Sequence, residues 1–225
     1  MWKNIKKHRE WLLIIAVIMV VAVIPRLTHI PTPIPFPKEY PLKNIGSFEN
    51  GAQAYKKAEY GLALANFISS ARHHSDAKSM SMASIMYIKG QGVQRDTCQG
   101  IYWADMAARN GVYFDQVLLS NAYFQSYGID SDYEKAYLWA KAAVENKNRG
   151  NTDKWHKELT GETFDPKSWM DSIQDFYSQK QIEDYNAKYA KWDYKKAVPV
   201  KIIRTRHIPY IGMSTVVPCS ENILQ

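Results

Sequence analysis

A block of residues that returns 36 positions later, with the same chemistry in the same order, limits what this chain can fold into more than any other feature. Tyr87 and Tyr123, Gly92 and Gly128, Asp96 and Asp132, Trp103 and Trp139, and Ala107 and Ala143 all share that step. A fixed period of roughly 20–50 residues is the mark of a solenoid, whose units bury their apolar faces only against one another. Such a scaffold offers a surface for holding a partner rather than a pocket for chemistry.

Two helices are legible in the unit that begins at Ala77. The first carries Ala77, Met80, Ala83 and Tyr87 at helical spacing and stops at Gly90 and Gly92, residues that take the left-handed backbone of a helix end. After Val93 and Asp96, the second presents Cys98, Ile101, Trp103, Ala104, Ala107 and Ala108, and closes at Asn110 and Gly111. Alanines facing large aromatics predict close helix packing.

The next unit repeats the pattern with Ser126 in place of the first loop glycine, Ile129 for Val93, and Asp132 as the expected N-cap. Upstream, Tyr60, Leu64, Phe67 and Ala71 lie 36 residues ahead of Asp96, Gly100, Trp103 and Ala107 and outline a shorter pair. About three units result, the fewest expected to be stable. The predicted fold class is all-α: a short helical-repeat solenoid of about three helix pairs, with a C-terminal capping helix and an extended tail.

Tyr87, Gly90, Gly92, Val93, Asp96, Trp103, Ala107, Ala108 and Gly111 in one unit, and Tyr123, Gly128, Asp132, Ala136, Trp139, Ala142 and Ala143 in the next, resemble the Sel1-like repeats, relatives of the tetratricopeptide repeat. Ala83 and Ser84 stand where that family has Leu-Gly, and Gly100 where it has Ala. The resemblance covers roughly residues 48 to 148. It implies a right-handed superhelix of antiparallel helix pairs that acts as an adaptor, with the first helix of each pair lining a concave face. On that face the residues outside the packing stripe are the candidate partner contacts: Met82, Ile85, Met86 and Ile88 in one unit, Leu118, Asn121, Phe124 and Gln125 in the next. The competing reading of each is inter-repeat core.

The two ends differ from this middle. Lys3, Lys6, Lys7 and Arg9 precede an uncharged apolar run from Trp11 to Pro25 that Leu27 and Ile30 extend. Read as a signal anchor rather than a cleaved signal peptide, the run puts residues 1–10 in the cytoplasm, 11–30 across a bacterial inner membrane in a single pass, and the repeat domain in the periplasm. Residues 31–47 form a linker in a region that holds six of the chain's ten prolines, Pro25 through Pro41. Proline at that spacing forbids helix and favours an extended polyproline arm, a stand-off from the membrane. A ligand for a proline-recognising groove is the alternative.

From Arg149 the period stops. Residues 149–197 are expected to be C-terminal helices capping the solenoid, starting at Asp165 and Pro166 and carrying Trp169, Ile173, Phe176, Tyr177, Ile182, Tyr185, Tyr189 and Trp192, with a phase shift near Lys180. Those aromatics are alternatively interface anchors. Residues 198–225 read as an extended basic tail.

Charge decides against nucleic acid. Of a net +7, the first ten residues supply +3 and residues 188–206 supply +6, so the rest of the chain stands near −2. The basic patch of Lys195, Lys196, Lys201, Arg204 and Arg206 suits an acidic protein or anionic lipid headgroups. The two cysteines, Cys98 and Cys219, form a possible disulfide in an oxidising compartment.

Nothing catalytic is read from the residues. Adjacent His73 and His74 would splay onto different helix faces rather than aim at one metal, and they fit a helix C-terminus better. No nucleophile-and-base pair, metal motif or phosphate-cradling loop occurs. No catalytic, cofactor-binding or metal residue is assigned, and no cofactor is expected. The resemblance implies a non-enzymatic protein-binding role. Anchored or exported Sel1-like proteins include immunity proteins that neutralise antibacterial effectors, such as phospholipases delivered by type VI secretion, and this is the expected function. The alternative is an envelope scaffold or regulator that assembles cell-wall or polysaccharide enzymes.

Overall fold

The computed structural model describes residues 46–200, and every regular element among them is helical. Six helices form three successive pairs: α1 (Phe48–Lys56) with α2 (Tyr60–His74), α3 (Ala77–Lys89) with α4 (Thr97–Arg109), and α5 (Tyr113–Gln125) with α6 (Tyr133–Val144). The pairs stack in chain order, α2 on α3 and α4 on α5. This is a helical-repeat solenoid.

The 36-residue step is visible in the hydrogen bonds. Asp96 N–H donates to Tyr87 O at 3.0 Å, and Asp132 N–H to Tyr123 O at 3.1 Å. Gln91 N–H donates to Met86 O and Tyr127 N–H to Ala122 O, both at 2.9 Å. Each loop therefore folds back on the helix it leaves and presents an aspartate to the helix that follows. The Asp96 carboxylate accepts from the Cys98 and Gln99 amides and the Asp132 carboxylate from the Lys135 amide, all at 3.0 Å, so donors left unpaired by the first turns are satisfied. Asp76 and Ser47 cap α3 and α1 in the same way.

Trp103 and Trp139 are buried in the second helices, and the small positions beside them, Ala104, Ala107, Ala108, Ala140 and Ala143, let neighbouring backbones approach. Gly100, which departs from the Sel1-like pattern, has a steric reason. A Cβ there would sit 2.4 Å from Ile88 Cγ1 and 3.2 Å from the Ser84 carbonyl, so Ile88 fills the space an alanine methyl would need.

The last third departs from the expectation in two ways. Residues Arg149–Thr160 form a helix, α7, ahead of the helix start expected at Asp165. Next, the stretch read as helical with a phase shift near Lys180 is two helices, α8 (Pro166–Gln174) and α9 (Gln179–Tyr189), broken over residues 175–178. Asp165 does cap α8, with Pro166 in its first turn, and Ser178 restarts the chain through a capping box with Gln181.

α7 lies across the first helices of all three pairs. Trp155 packs edge-on against Phe48 of α1, and His156 against Phe114 of α5 with ring centroids 4.2 Å apart. Lys56 of α1 pairs with Glu158 at 2.5 Å, Lys89 of α3 with Glu162 just beyond α7 at 2.8 Å, and Tyr113 of α5 donates to Asp153. α8 packs on α5 and α6, where the first helix of a fourth unit would stand: Trp169 Nε1 donates to Ser120 Oγ, and Met170, Ile173 and Tyr177 cover Tyr137 and Ala140. α9 follows on α6 with no residue buried. Beyond it Trp192 meets Trp139 edge-on, and the turn at Tyr194–Lys196 reaches α4, so the chain ends its described course on the second-helix face.

Candidate functional site

The partner contacts expected on α3 are inside the protein. Met82 and Met86 are fully buried and Ile85 is 4% exposed, all in the cluster that also holds Trp155 of α7. The physical reason is α7: a solenoid face left open at the first helices would expose them, and here the chain's own helix closes it. Ile88 is half-buried against α4. On α5, Leu118, Asn121 and Phe124 are half-buried and Gln125 is exposed. The structure separates the candidates into a core group on α3 and a surface group in the last two turns of α5.

Three buried titratable groups stand out, Asp115, His156 and Asp105. Asp115 of α5 is completely buried, with Ser81 and Ser84 of α3 directed toward it, yet neither carboxylate oxygen nor either hydroxyl closes a hydrogen bond of good geometry. Burial pushes the Asp115 carboxyl up to about 8, so at neutral pH it is largely the protonated acid. His156 is also buried; desolvation lowers its pKa, while its Nδ1 meets the Glu162 carbonyl at 3.1 Å and its Nε2 has no partner. On the second-helix face, burial raises the Asp105 carboxyl, against the opposing pull of Arg109 at 2.6 Å and of the Val200 amide. These groups govern stability and sit away from open surface.

Among the described residues the two most exposed aromatic side chains, Phe176 and Tyr133, lie at the end of the stack. Phe124 stands edge-on to three rings: Tyr133 at the first position of α6, Trp169 of α8, and Phe176 just past α8, at centroid distances of 5.6, 6.0 and 5.1 Å. Tyr133 is 53% exposed and Phe176 71%. Sequence reasoning named Phe124 as a partner contact and left the aromatics of the C-terminal helices as alternative interface anchors, but it missed Tyr133. Phe176 shares helical spacing with Trp169 and Ile173, but α8 stops at Gln174, and the turn that follows swings Phe176 outward while Tyr177 turns in. Tyr133 follows the N-cap Asp132, a first-turn position that commonly faces solvent, and that was a usable signal.

Among the other candidates, Lys195 and Lys196 are exposed on the short turn after α9, whereas Lys201, Arg204 and Arg206 lie outside the described residues. Cys98 is buried on α4, and its expected partner Cys219 lies outside the described residues. So do the segments 1–10 and 11–30 and the linker up to Ile45; among the described residues no helix is long and apolar enough to cross a membrane. His73 and His74 are exposed in the last turn of α2, and the described residues contain no group of three or more metal-ligating side chains. An open cleft beside α7, lined by Arg149, Lys154, Lys157 and Phe164, has its guanidinium already tied to Asp165 at 2.8 Å.

No described protein family matches the sequence, and no curated protein does. Among solved structures, the chain is similar to the crystal structure of a protective antigen present in uropathogenic Escherichia coli strains that displays a Sel1-like repeat fold. The TM-score is 0.50 at 18% identity, over 67% of this chain and 31% of that one. This chain thus spans under a third of the length of its structural neighbour, and what they share is the fold.

Proposed function

We propose that this chain is a non-enzymatic protein-binding repeat protein, anchored by residues 11–30 in a bacterial inner membrane with its helical domain in the periplasm. Within that reading it acts as an immunity protein, gripping and neutralising an antibacterial effector such as a secreted phospholipase. The observation that carries the binding role is the Sel1-like repeat solenoid ending in an exposed aromatic cluster, Phe124, Tyr133 and Phe176, a composition enriched at protein interfaces. The near-neutral charge of the domain fits capture of a protein better than of nucleic acid. A Cys98–Cys219 disulfide belongs to the same proposal, since the periplasm permits it and it would tie the tail to α4.

The test is protection. Cells carrying the full chain, challenged with a periplasm-directed effector, are expected to survive; cells in which residues 48–200 are removed behind the same anchor are expected to die. The whole helical unit is removed, because α7 and α8 pack on the repeats and a narrower deletion would leave them without a base. Capture of the effector without protection would reject the immunity role in favour of an envelope scaffold. No capture at all would reject the binding role.

A further inference from the structure

The chain covers most of its own solenoid, and what it leaves open is chemically distinctive. α7 closes the first-helix face from Phe48 to Phe114, and residues 192–200 run against the second helices. The end beyond Phe124 carries the exposed rings instead. These rings are held in place from below. Trp169 is fixed by its bond to Ser120, 2.8 Å, and the buried Tyr177 donates to the Tyr133 carbonyl at 3.0 Å, which pins the turn bearing Phe176 to the start of α6. Phe176 is therefore presented by a rigid base and not by a free loop.

Carboxylates flank the rings along the chain. Asp175 immediately precedes Phe176, Asp171 lies one helical turn earlier on α8, and Asp130 is in the loop that leads into Tyr133. All three are exposed, and none is in an ion pair among the described residues. Lys135 is engaged with Asp132 and Lys188 with Glu134, so of the described cations near the rings in sequence only Lys167 and Lys180 are left unpaired against the three carboxylates. Exposed aromatic faces attract ammonium and guanidinium groups, and unpaired carboxylates strengthen the same preference while repelling anionic lipid or nucleic acid.

We propose that the cluster of Phe124, Tyr133 and Phe176, with Asp130, Asp171 and Asp175, is a docking surface for a cationic segment of another protein that alternates basic and apolar side chains. The assignment rests on the protein-binding reading and names the surface and the partner's chemistry. Apolar side chains cover Phe176 and Tyr133, and basic ones reach the three carboxylates.

The probe is a synthetic twelve-residue peptide of alternating Arg and Leu, titrated calorimetrically into the full chain in an uncharged maltoside detergent, with protein-free micelles subtracted and a Glu/Leu peptide as control. The Arg/Leu peptide is expected to bind and the Glu/Leu peptide not. Tyr133→Ser with Phe176→Ser should weaken binding at least about tenfold, as for anchor residues at other interfaces. Asp171→Asn with Asp175→Asn should weaken it several-fold and flatten its salt dependence. The two aspartates are exposed and unpaired, so their double substitution should leave melting unchanged. The aromatic pair also loses its edge-on contacts with Phe124 and should lower melting slightly, and binding is compared well below both transitions. Equal binding by the aromatic double variant, or binding of the Glu/Leu peptide, would overturn the proposal. So would sedimentation showing a wild-type dimer that Phe176→Ser converts to monomer, which would give the surface to a second copy. Effector capture by the intact chain is scored separately: its absence rejects the protein-binding reading, whereas capture that ignores both double substitutions rejects only this surface.

Discussion

Asp115 of α5 is completely buried, with Ser81 and Ser84 of α3 directed toward it, and its pKa is pushed up to about 8 by burial. In the unfolded chain the same group titrates near ~4. The folded state therefore keeps a proton that the unfolded chain releases between those values. Stability is undiminished by this residue below ~4, is lost as pH rises from there toward about 8, and is no longer pH-dependent above that. One proton corresponds to a slope of about 1.4 kcal/mol per pH unit. Asp115→Asn is expected to remove most of that slope, so that denaturant midpoints at pH 5 and pH 8 converge; an unchanged slope would show that the carboxyl is solvated. Asp105, also raised by burial, contributes in the same direction. A second residue-scale prediction concerns Ser126, which ends α5 with φ 54°, where the preceding unit ends α3 with Gly90 at φ 70°. Ser126→Gly relieves the left-handed strain and is expected to stabilise the protein by roughly 0.5–1 kcal/mol, read as a higher Tm.

At the scale of elements, the second and third helix pairs were legible because each stacks an alanine and tryptophan stripe, closes its first helix at a glycine or serine and restarts at an aspartate. The first pair, with Phe67 at the tryptophan place and Glu59 ahead of α2, was legible only through the 36-residue step. α7 was not. Its buried stripe is Thr152, Trp155 and His156, with Leu159 half-buried, which is helical spacing, but two of the four are polar and the other eight residues of RGNTDKWHKELT include five charges. The same gap hid the fate of Met82, Ile85 and Met86, since nothing in α3 itself says what will cover it. α7 is held by one tryptophan, one histidine and ion pairs with exposed partners, which are worth little in water. Trp155→Ala is expected to cost about 3–5 kcal/mol and to release α7 first, seen as lost amide-exchange protection over residues 149–160 while α4 and α6 stay protected. Acid should do the same more gently. The His156 pKa is lowered chiefly by burial, with Lys89 adding to that and Asp153, Glu162 and its carbonyl opposing it. Its folded form is neutral, so its contribution is complete above ~6.5 and is lost as pH falls below that. His156→Gln should keep α7 protected at pH 5 once exchange is corrected for intrinsic rates.

Among the described residues, the boundary drawn at residue 148 separates two stretches that share their hydrophobic clusters. Trp155 completes the cluster built on Phe67, Met80 and Met86; Met170 and Ile173 complete the one around Tyr137; and Trp192 and Val200 lie on Ile101, Ala104 and Trp139. Three units are the fewest expected to be stable, because a solenoid is stabilised by neighbours on each side and this one has few. The residues after 148 replace the missing neighbours with a covering helix, an end cap and a strap. One cooperative transition is therefore expected for residues 46–200, with calorimetric and van't Hoff enthalpies in agreement. A chain ended at Asn148 should lose that transition and expose apolar surface to a hydrophobic dye, whereas one ended at Val200 should keep it. Two resolved transitions in the longer chain, or a folded and dye-silent shorter one, would show that the repeats form an independent domain and that the C-terminal helices only rest on it.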